Sequence, residues 1–111
     1  MGTFTKGDIV LYPYPYTDLS KRKIRPCLVL SKEMNEDIIL CQITSRAIRK
    51  DTYAIELKQK ETEGGNLAID SFIRSNMVFT AAKRDIKMRI CKVSDKKYNQ
   101  VTEMLLKIVK K

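Results

Sequence analysis

The chain contains no histidine. That absence excludes a nuclease built on paired imidazoles and a Ser-His-Asp hydrolase. It also takes the usual nitrogen ligand away from any zinc site, and the three cysteines, Cys27, Cys41 and Cys91, form no Cys-x-x-Cys pair. A cysteine nucleophile would lack its usual base. With an odd count, and with Cys27 and Cys41 set inside apolar runs, buried free thiols in a reducing compartment are the expectation. No glycine pattern of the phosphate-binding or dinucleotide-binding type occurs among the four glycines. Acidic residues are sparse among the loops, so a two-metal centre has little to stand on. Neither a metal nor a cofactor is expected.

Long apolar runs are missing too. No stretch approaches the roughly 20 residues of a membrane span, and no apolar segment follows the first residues. Gly2 is a poor myristoylation match, because Lys6 stands where Ser or Thr is wanted. These absences predict a cytoplasmic protein with no membrane association.

What is present is positive charge on a small body. The 111 residues fit one domain, read here as 1–111, and 22 Lys and Arg against 13 Asp and Glu leave a net charge of +9. Partners of such a field are phosphate polymers, anionic membranes or acidic proteins.

Short strands dominate the pattern. Gly7 to Tyr12, Arg25 to Ser31 and Asp37 to Thr44 read as strands, and Pro13, Pro15 and the polar residues 17–23 read as a loop. Residues 51–58 alternate Tyr53, Ile55 and Leu57 against Thr52, Ala54 and Glu56, the period of a half-buried strand. Residues 61–66 read as a turn, 67–78 as strand, 79–85 as containing a helical turn and 88–93 as a last strand. Ser94 then has the character of an N-cap, and Tyr98, Val101, Leu105 and Ile108 share one helical face. The expected architecture is mainly β: a small antiparallel barrel with a C-terminal amphipathic helix.

Two clusters could carry chemistry. Tyr12, Tyr14, Tyr16, Lys21, Arg22, Lys23 and Arg25 interleave rings and cations, which suits stacked bases and phosphates of single-stranded nucleic acid. Against this, some of the tyrosines alternate into a core. Gln42-Ile43-Thr44-Ser45-Arg46 brings hydroxyls to the end of the most apolar strand, where they either meet a phosphate or 2′-OH or simply turn the chain.

Taken in order, Gly7-Asp8-Ile9-Val10, Thr17-Asp18-Leu19, Arg25-Pro26 with its apolar run to Ser31, and Gln42-Ile43-Thr44-Ser45 resemble the MazF/PemK toxins of type II toxin–antitoxin systems. A weaker likeness continues through Asp70 to Thr80 and into the final helix. The resemblance implies an SH3-like barrel, a homodimer, and metal-independent, sequence-specific cleavage of single-stranded RNA. It makes Arg25 and Thr44 catalytic. Asp18, Lys21, Lys23, Gln42, Ser45, Arg74 and Asn76 become the RNA-binding set, and an antitoxin with an acidic disordered tail becomes the restraining partner.

Two departures bear on the general base. Ser20, Lys21 and Arg22 stand where some relatives have an acid before the Arg-Pro pair, and Arg74-Ser75-Asn76 stands for Arg-x-Asp. A non-enzymatic toxin of the same fold that binds a macromolecule such as DNA gyrase, or a lapsed RNA-binding module, is the alternative.

Overall fold

The computed structural model describes residues 3–15, 22–46 and 52–110. Seven strands form one antiparallel sheet: β1 Asp8–Pro15, β2 Arg22–Val29, β3 Asp37–Thr44, β4 Ala54–Leu57, β5 Thr62–Glu63, β6 Ser71–Ala82 and β7 Met88–Val93. Their order across the sheet is β4-β6-β3-β2-β1-β7-β5. A single helix follows, α1 Asp95–Lys110.

That order forces the sheet to curl. β4 and β5 occupy opposite edges, yet only residues 58–61 separate them in sequence. At roughly 3.3–3.6 Å per residue such a link spans less than about 18 Å. Seven flat strands at about 4.8 Å spacing would hold the edges near 29 Å apart. The two edges therefore fold toward one another, giving a half-barrel.

Alternation along the strands divides the apolar residues between two faces. On one, Ile9, Leu28, Cys41, Ile43, Ile73 and Val93 pack with Val101 of α1. On the other, Val10, Cys27, Val29, Ile38, Leu40 and Ala81 cluster, flanked by Tyr12 and Phe79. Each fully buried Ile or Leu contributes about 1.5–3 kcal/mol over exposure. The three cysteines are buried and free, as expected.

Several boundaries differ from the sequence reading, each for a local reason. β1 continues through Pro13 to Pro15, where a loop was expected. The Lys87 amide donates to the Leu11 carbonyl, so Leu11 and the alternate residues Pro13 and Pro15 turn their backbone toward β7. The β1–β7 pairing ends at Leu11, so no strand waits there for the amides that proline lacks. β2 begins at Arg22 rather than Arg25. The strand expected from residue 67 starts at Ser71 and runs on to Ala82, past the expected end, and the helical turn shrinks to Lys83–Asp85. Within the expected 61–66 turn lie two strand residues, Thr62 and Glu63. Gly65 is required there: its φ is 152°, and a Cβ would fall 1.9 Å from the Ile90 carbonyl oxygen.

The helix starts as read: Ser94 Oγ accepts the Lys97 amide at 3.2 Å. Tyr98, Val101 and Leu105 face the core, while Ile108 does not and is 36% exposed. The Tyr98 hydroxyl donates to the Leu30 carbonyl. Lys97 is buried, and its ammonium donates to the Glu56 carbonyl of β4 at 2.8 Å and pairs with the Glu61 carboxylate at 3.0 Å. One side chain thus ties α1 to both ends of the 58–61 link.

Burial works against the Glu61 carboxylate, but the Lys58 amide and the Lys97 ammonium outweigh it and hold its pKa below the ordinary value of 4.5. A lowered folded pKa means stability that is complete above the unfolded value and is lost as pH falls through the folded one. Thermal melts of the wild type should therefore fall in midpoint below about pH 4.5, and Glu61→Gln should lose part of that dependence. Lys97→Met should cost about 1–3 kcal/mol in urea denaturation at pH 7. A loss under about 0.3 kcal/mol would show that α1 is held by its apolar face alone.

Candidate nucleic-acid interface

A proline creates the opening in which the candidate residues meet. β2 and β3 pair at Val29↔Leu40, Leu28↔Cys41 and Cys27↔Gln42, and there the ladder stops. The Leu30 amide donates to the Ile39 carbonyl, so even-numbered β2 residues turn their backbone toward β3. Pro26 holds the next such position and has no N–H to give. Carried two residues past the last rung, the register sets Arg25 opposite Thr44. The sequence reading and the backbone geometry thus bring the same two residues to one opened seam.

Thr44 does turn the chain, as the plainer reading had it: its Oγ1 accepts the Arg46 amide at 3.2 Å. That contact uses an oxygen lone pair. The hydroxyl proton meets no acceptor among the described residues, and it remains available for donation.

The neighbouring candidates lie on the same face. By alternation from Cys27 and Leu40, that face carries Lys23 and Arg25 on β2 and Gln42 and Thr44 on β3. Across β1, Tyr12 pairs with Arg25 and Tyr14 with Lys23. Tyr12 and Tyr14 both meet Phe79, at centroid distances of 5.5 and 5.3 Å, the second edge to face. Phe79 was not foreseen, because its partners come from the far end of the sequence. Tyr12 and Arg25 stand on strands as read, and Tyr14 and Lys23 do too, where the sequence reading had a loop.

Beyond β3 the register with β6 jumps. Cys41 pairs with Val78, but Ile43 pairs with Ile73. Residues 74–77 therefore stand against Gln42 alone, an irregular bulge. The Cys41 thiol donates to the Arg74 carbonyl at 2.9 Å, and the Ser75 amide donates to the Tyr53 carbonyl at 3.1 Å. Arg74 follows Phe72, the partner of Thr44, with the alternation that returns it to the Thr44 face. Asn76 is exposed on the bulge. Gln42 Oε1 and Ser75 Oγ are buried and make no hydrogen bond among the described residues. Ser75 escaped the sequence reading, since only the register jump reveals it. Asp18 and Lys21, expected at this interface, lie outside the described residues.

On the other face of β2 and β3, the one that carries Ile43 and Leu28, opens a cleft of about 220 Å³. Lys23, Arg25 and Ser45 line it together with Ile24, Leu67 and Ile69. A larger cleft, about 370 Å³, shares none of these candidate residues and lies at the turn Lys83–Asp85, beside the 2.7 Å Lys83–Glu33 ion pair. Among the described residues, no helix is long and apolar enough to cross a membrane.

The family of PemK-like, MazF-like toxins of type II toxin–antitoxin systems matches residues 5–109. Solved structures agree on the fold. A MazE–MazF crystal structure from Deinococcus radiodurans superposes with a TM-score of 0.79 at 15% identity, covering 98% of both chains. An endoribonuclease in complex with its cognate antitoxin, from a mycobacterial species, gives 0.73 at 12% identity, covering 96% of this chain and 95% of that one. The Mycobacterium tuberculosis toxin MazF-mt6 gives 0.67 at 13%, covering 91% and 96%. At these identities the likeness speaks for the fold alone. A search of curated proteins by sequence returned no match.

Burial raises the thiols of Cys27 and Cys41 to about 12, with the nearby Cys41 adding to the effect at Cys27. Burial raises Cys91 as well. Thiols held protonated are poor nucleophiles. Ellman's reagent at pH 8 should find almost no reactive thiol in the native chain and three per chain in guanidinium. Rapid labelling of the native protein at any of the three would contradict the buried assignment.

Proposed function

The chain belongs to the PemK-like, MazF-like toxin family of type II toxin–antitoxin systems, and from that premise we propose that it is a sequence-specific endoribonuclease that cuts single-stranded RNA without a metal ion. The observation that carries this reading is the β2–β3 register, which, carried two residues past its last rung at Cys27↔Gln42, sets Arg25 opposite Thr44, with Gln42 and Arg74 on the same face.

RNA supplies its own nucleophile. The 2′-OH attacks the adjacent phosphorus, the 5′-oxygen leaves, and the products are a 2′,3′-cyclic phosphate and a 5′-hydroxyl. The protein has to align this attack, stabilise the added charge on the phosphorane and assist proton movement. Arg25 supplies two parallel donors to the non-bridging oxygens. Thr44 adds a hydroxyl donor from a position fixed by its bond to the Arg46 amide. Arg74 and Lys23 hold flanking phosphates, and Gln42, Ser45 and Asn76 offer polar contacts to sugar and base. Asp18 and Lys21 extend the RNA-binding set along the same segment. The chain acts in the cytoplasm, as a single domain.

Its partners follow from the same charge. An antitoxin with an acidic, disordered tail would fold over the cations and compete with RNA. Two copies of the chain would pair through a self-complementary surface. Leu106 and Val109, 53% and 69% exposed on α1, would supply apolar area to it.

Purified protein should cut mixed single-stranded RNA in the presence of EDTA. Cleavage that appears only on adding a divalent cation would overturn the mechanism. Arg25→Ala should lose about 10²–10³ in rate with an unchanged circular dichroism spectrum, and Thr44→Val should lose less. Near-normal turnover by a folded Arg25→Ala chain would remove Arg25 from the site. Tight salt-dependent RNA binding without cleavage would instead favour the lapsed RNA-binding module.

A further inference from the structure

The paired strands β1 and β2 outrun their neighbours on both sides. They stay paired as far as Pro15↔Arg22, whereas the β1–β7 pairing ends at Leu11 and the β2–β3 pairing at Cys27↔Gln42. Each strand is left with an edge that no other strand covers among the described residues, and the two edges differ. Along β1 the outward backbone positions are Pro13 and Pro15, and proline has no N–H to offer. Such an edge is blunted against further pairing. Along β2 the outward positions are Arg22 and Ile24, by alternation from Leu28 and Leu30. Both keep an N–H and a C=O. On that side Ile24 makes no backbone hydrogen bond among the described residues, and the Ser45 amide, next along β3, does not reach it.

The side chains beside this edge define what could pair with it. Ile24 borders the 220 Å³ cleft and is 45% exposed, and Ile69 on the same cleft is 56% exposed. The Ser71 hydroxyl donates to the Ile69 carbonyl at 2.8 Å and holds that wall. Lys23 alternates to the opposite face, is exposed, and makes no ion pair among the described residues. A strand laid along the edge would meet apolar side chains on one face and a cation on the other. A second copy of β2 does not suit it. Arg22 and Lys23 are adjacent in sequence, and two such strands would set cations against cations, which destabilises a pair. Acidic side chains opposite Lys23 have the favourable sign.

We propose that the Arg22–Ile24 edge is a strand acceptor, to which an acidic peptide in extended conformation adds as a further strand. The peptide backbone pairs with the Ile24 N–H and C=O. Its apolar side chains lie on Ile24 and Ile69, and the alternate acidic ones face Lys23. Main-chain bonds supply affinity in this mode, and the alternation of side chains supplies selection. The added strand leads into the β2–β3 seam, where the register sets Arg25 opposite Thr44, so peptide and RNA exclude one another there. Strand addition gives the acidic partner proposed above a defined seat, and only the exclusion of RNA rests on the endoribonuclease reading.

The probe is a capped synthetic peptide that alternates Glu with Ile, and the readout is amide hydrogen exchange in the full chain. Ile24 should exchange freely in the free protein, and at least about tenfold more slowly with saturating peptide. Protection of Ile24 before peptide is added would show that the edge is closed. Protection that grows with protein concentration would assign the edge to a second copy. Either result overturns the proposal. The same peptide with Lys in place of Glu should bind at least about tenfold more weakly, and equal binding would remove the acidic partner. Methylating alternate amides gives two further peptides, of which one should lose about tenfold in affinity. Full affinity in both would mean contact through side chains alone, against strand addition. Ile24→Pro deletes an N–H that no strand uses, so it should keep the wild-type circular dichroism spectrum and lose about tenfold in peptide affinity. A folded variant with full affinity would overturn the assignment, and the methylated peptides test it without any variant. A single-stranded oligouridylate that slows Ile24 exchange where the peptide does not would give the edge to nucleic acid, also against the proposal. No arm needs RNA cleavage, so failure here and failure of the RNase reading are told apart.

Discussion

The structure depends on one short closure. Residues 58–61 join the opposite edges of a seven-stranded sheet, and no flat arrangement satisfies that length. Curling is therefore imposed by connectivity before any core contact is counted. Lys97 secures the closure from outside: its ammonium reaches β4 through the Glu56 carbonyl and the residue just before β5 through the Glu61 carboxylate. A buried lysine is costly unless its charge and its donors are satisfied. Here a carbonyl and a carboxylate meet that need while α1 lays Val101 on the core.

Curling brings distant strands to one working face. Tyr12 and Tyr14 of β1 touch Phe79 of β6 although β2 and β3 lie between them in the sheet. The same face contains the seam opened at Pro26. A continuous β2–β3 ladder would commit backbone donors and acceptors at that end to each other. Stopping it two residues before the end of β3 leaves a cation on one strand and a hydroxyl on the next without a ladder between them. Bulge and proline serve the same end by different means: one inserts residues, the other withholds a donor.

Much of this was legible in the sequence, and the parts that were not share a cause. Asp37–Thr44 and Met88–Val93 were read with their observed bounds, because apolar strands and their flanking polar residues are local signals. Pro13 misled, since whether a strand tolerates proline depends on whether a partner faces its nitrogen, and that is decided by where β7 ends. Ile108 fits the helical period yet stays exposed, because the period fixes a face but not how far the core extends beneath it. Arg25 and Thr44 came from a resemblance. Their opposition came only from the register, and neither Ser75 nor Phe79 was marked by the sequence as a site residue.

Placement gives the positive charge its meaning. A net charge of +9 would draw any polyanion to the surface and discriminate among none, because phosphate contacts position without reading sequence. Selectivity has to arise where cations adjoin a shaped apolar recess. On β2, Lys23 and Arg25 share a face with Tyr12, Tyr14 and Phe79, whereas Lys107 and Lys110 lie at the end of α1. Two kinds of binding energy then combine at one point. In the proposed RNase, long-range attraction, which salt weakens, would gather the chain onto RNA. Short-range fit, which salt barely touches, would decide which phosphate comes to rest between Arg25 and Thr44.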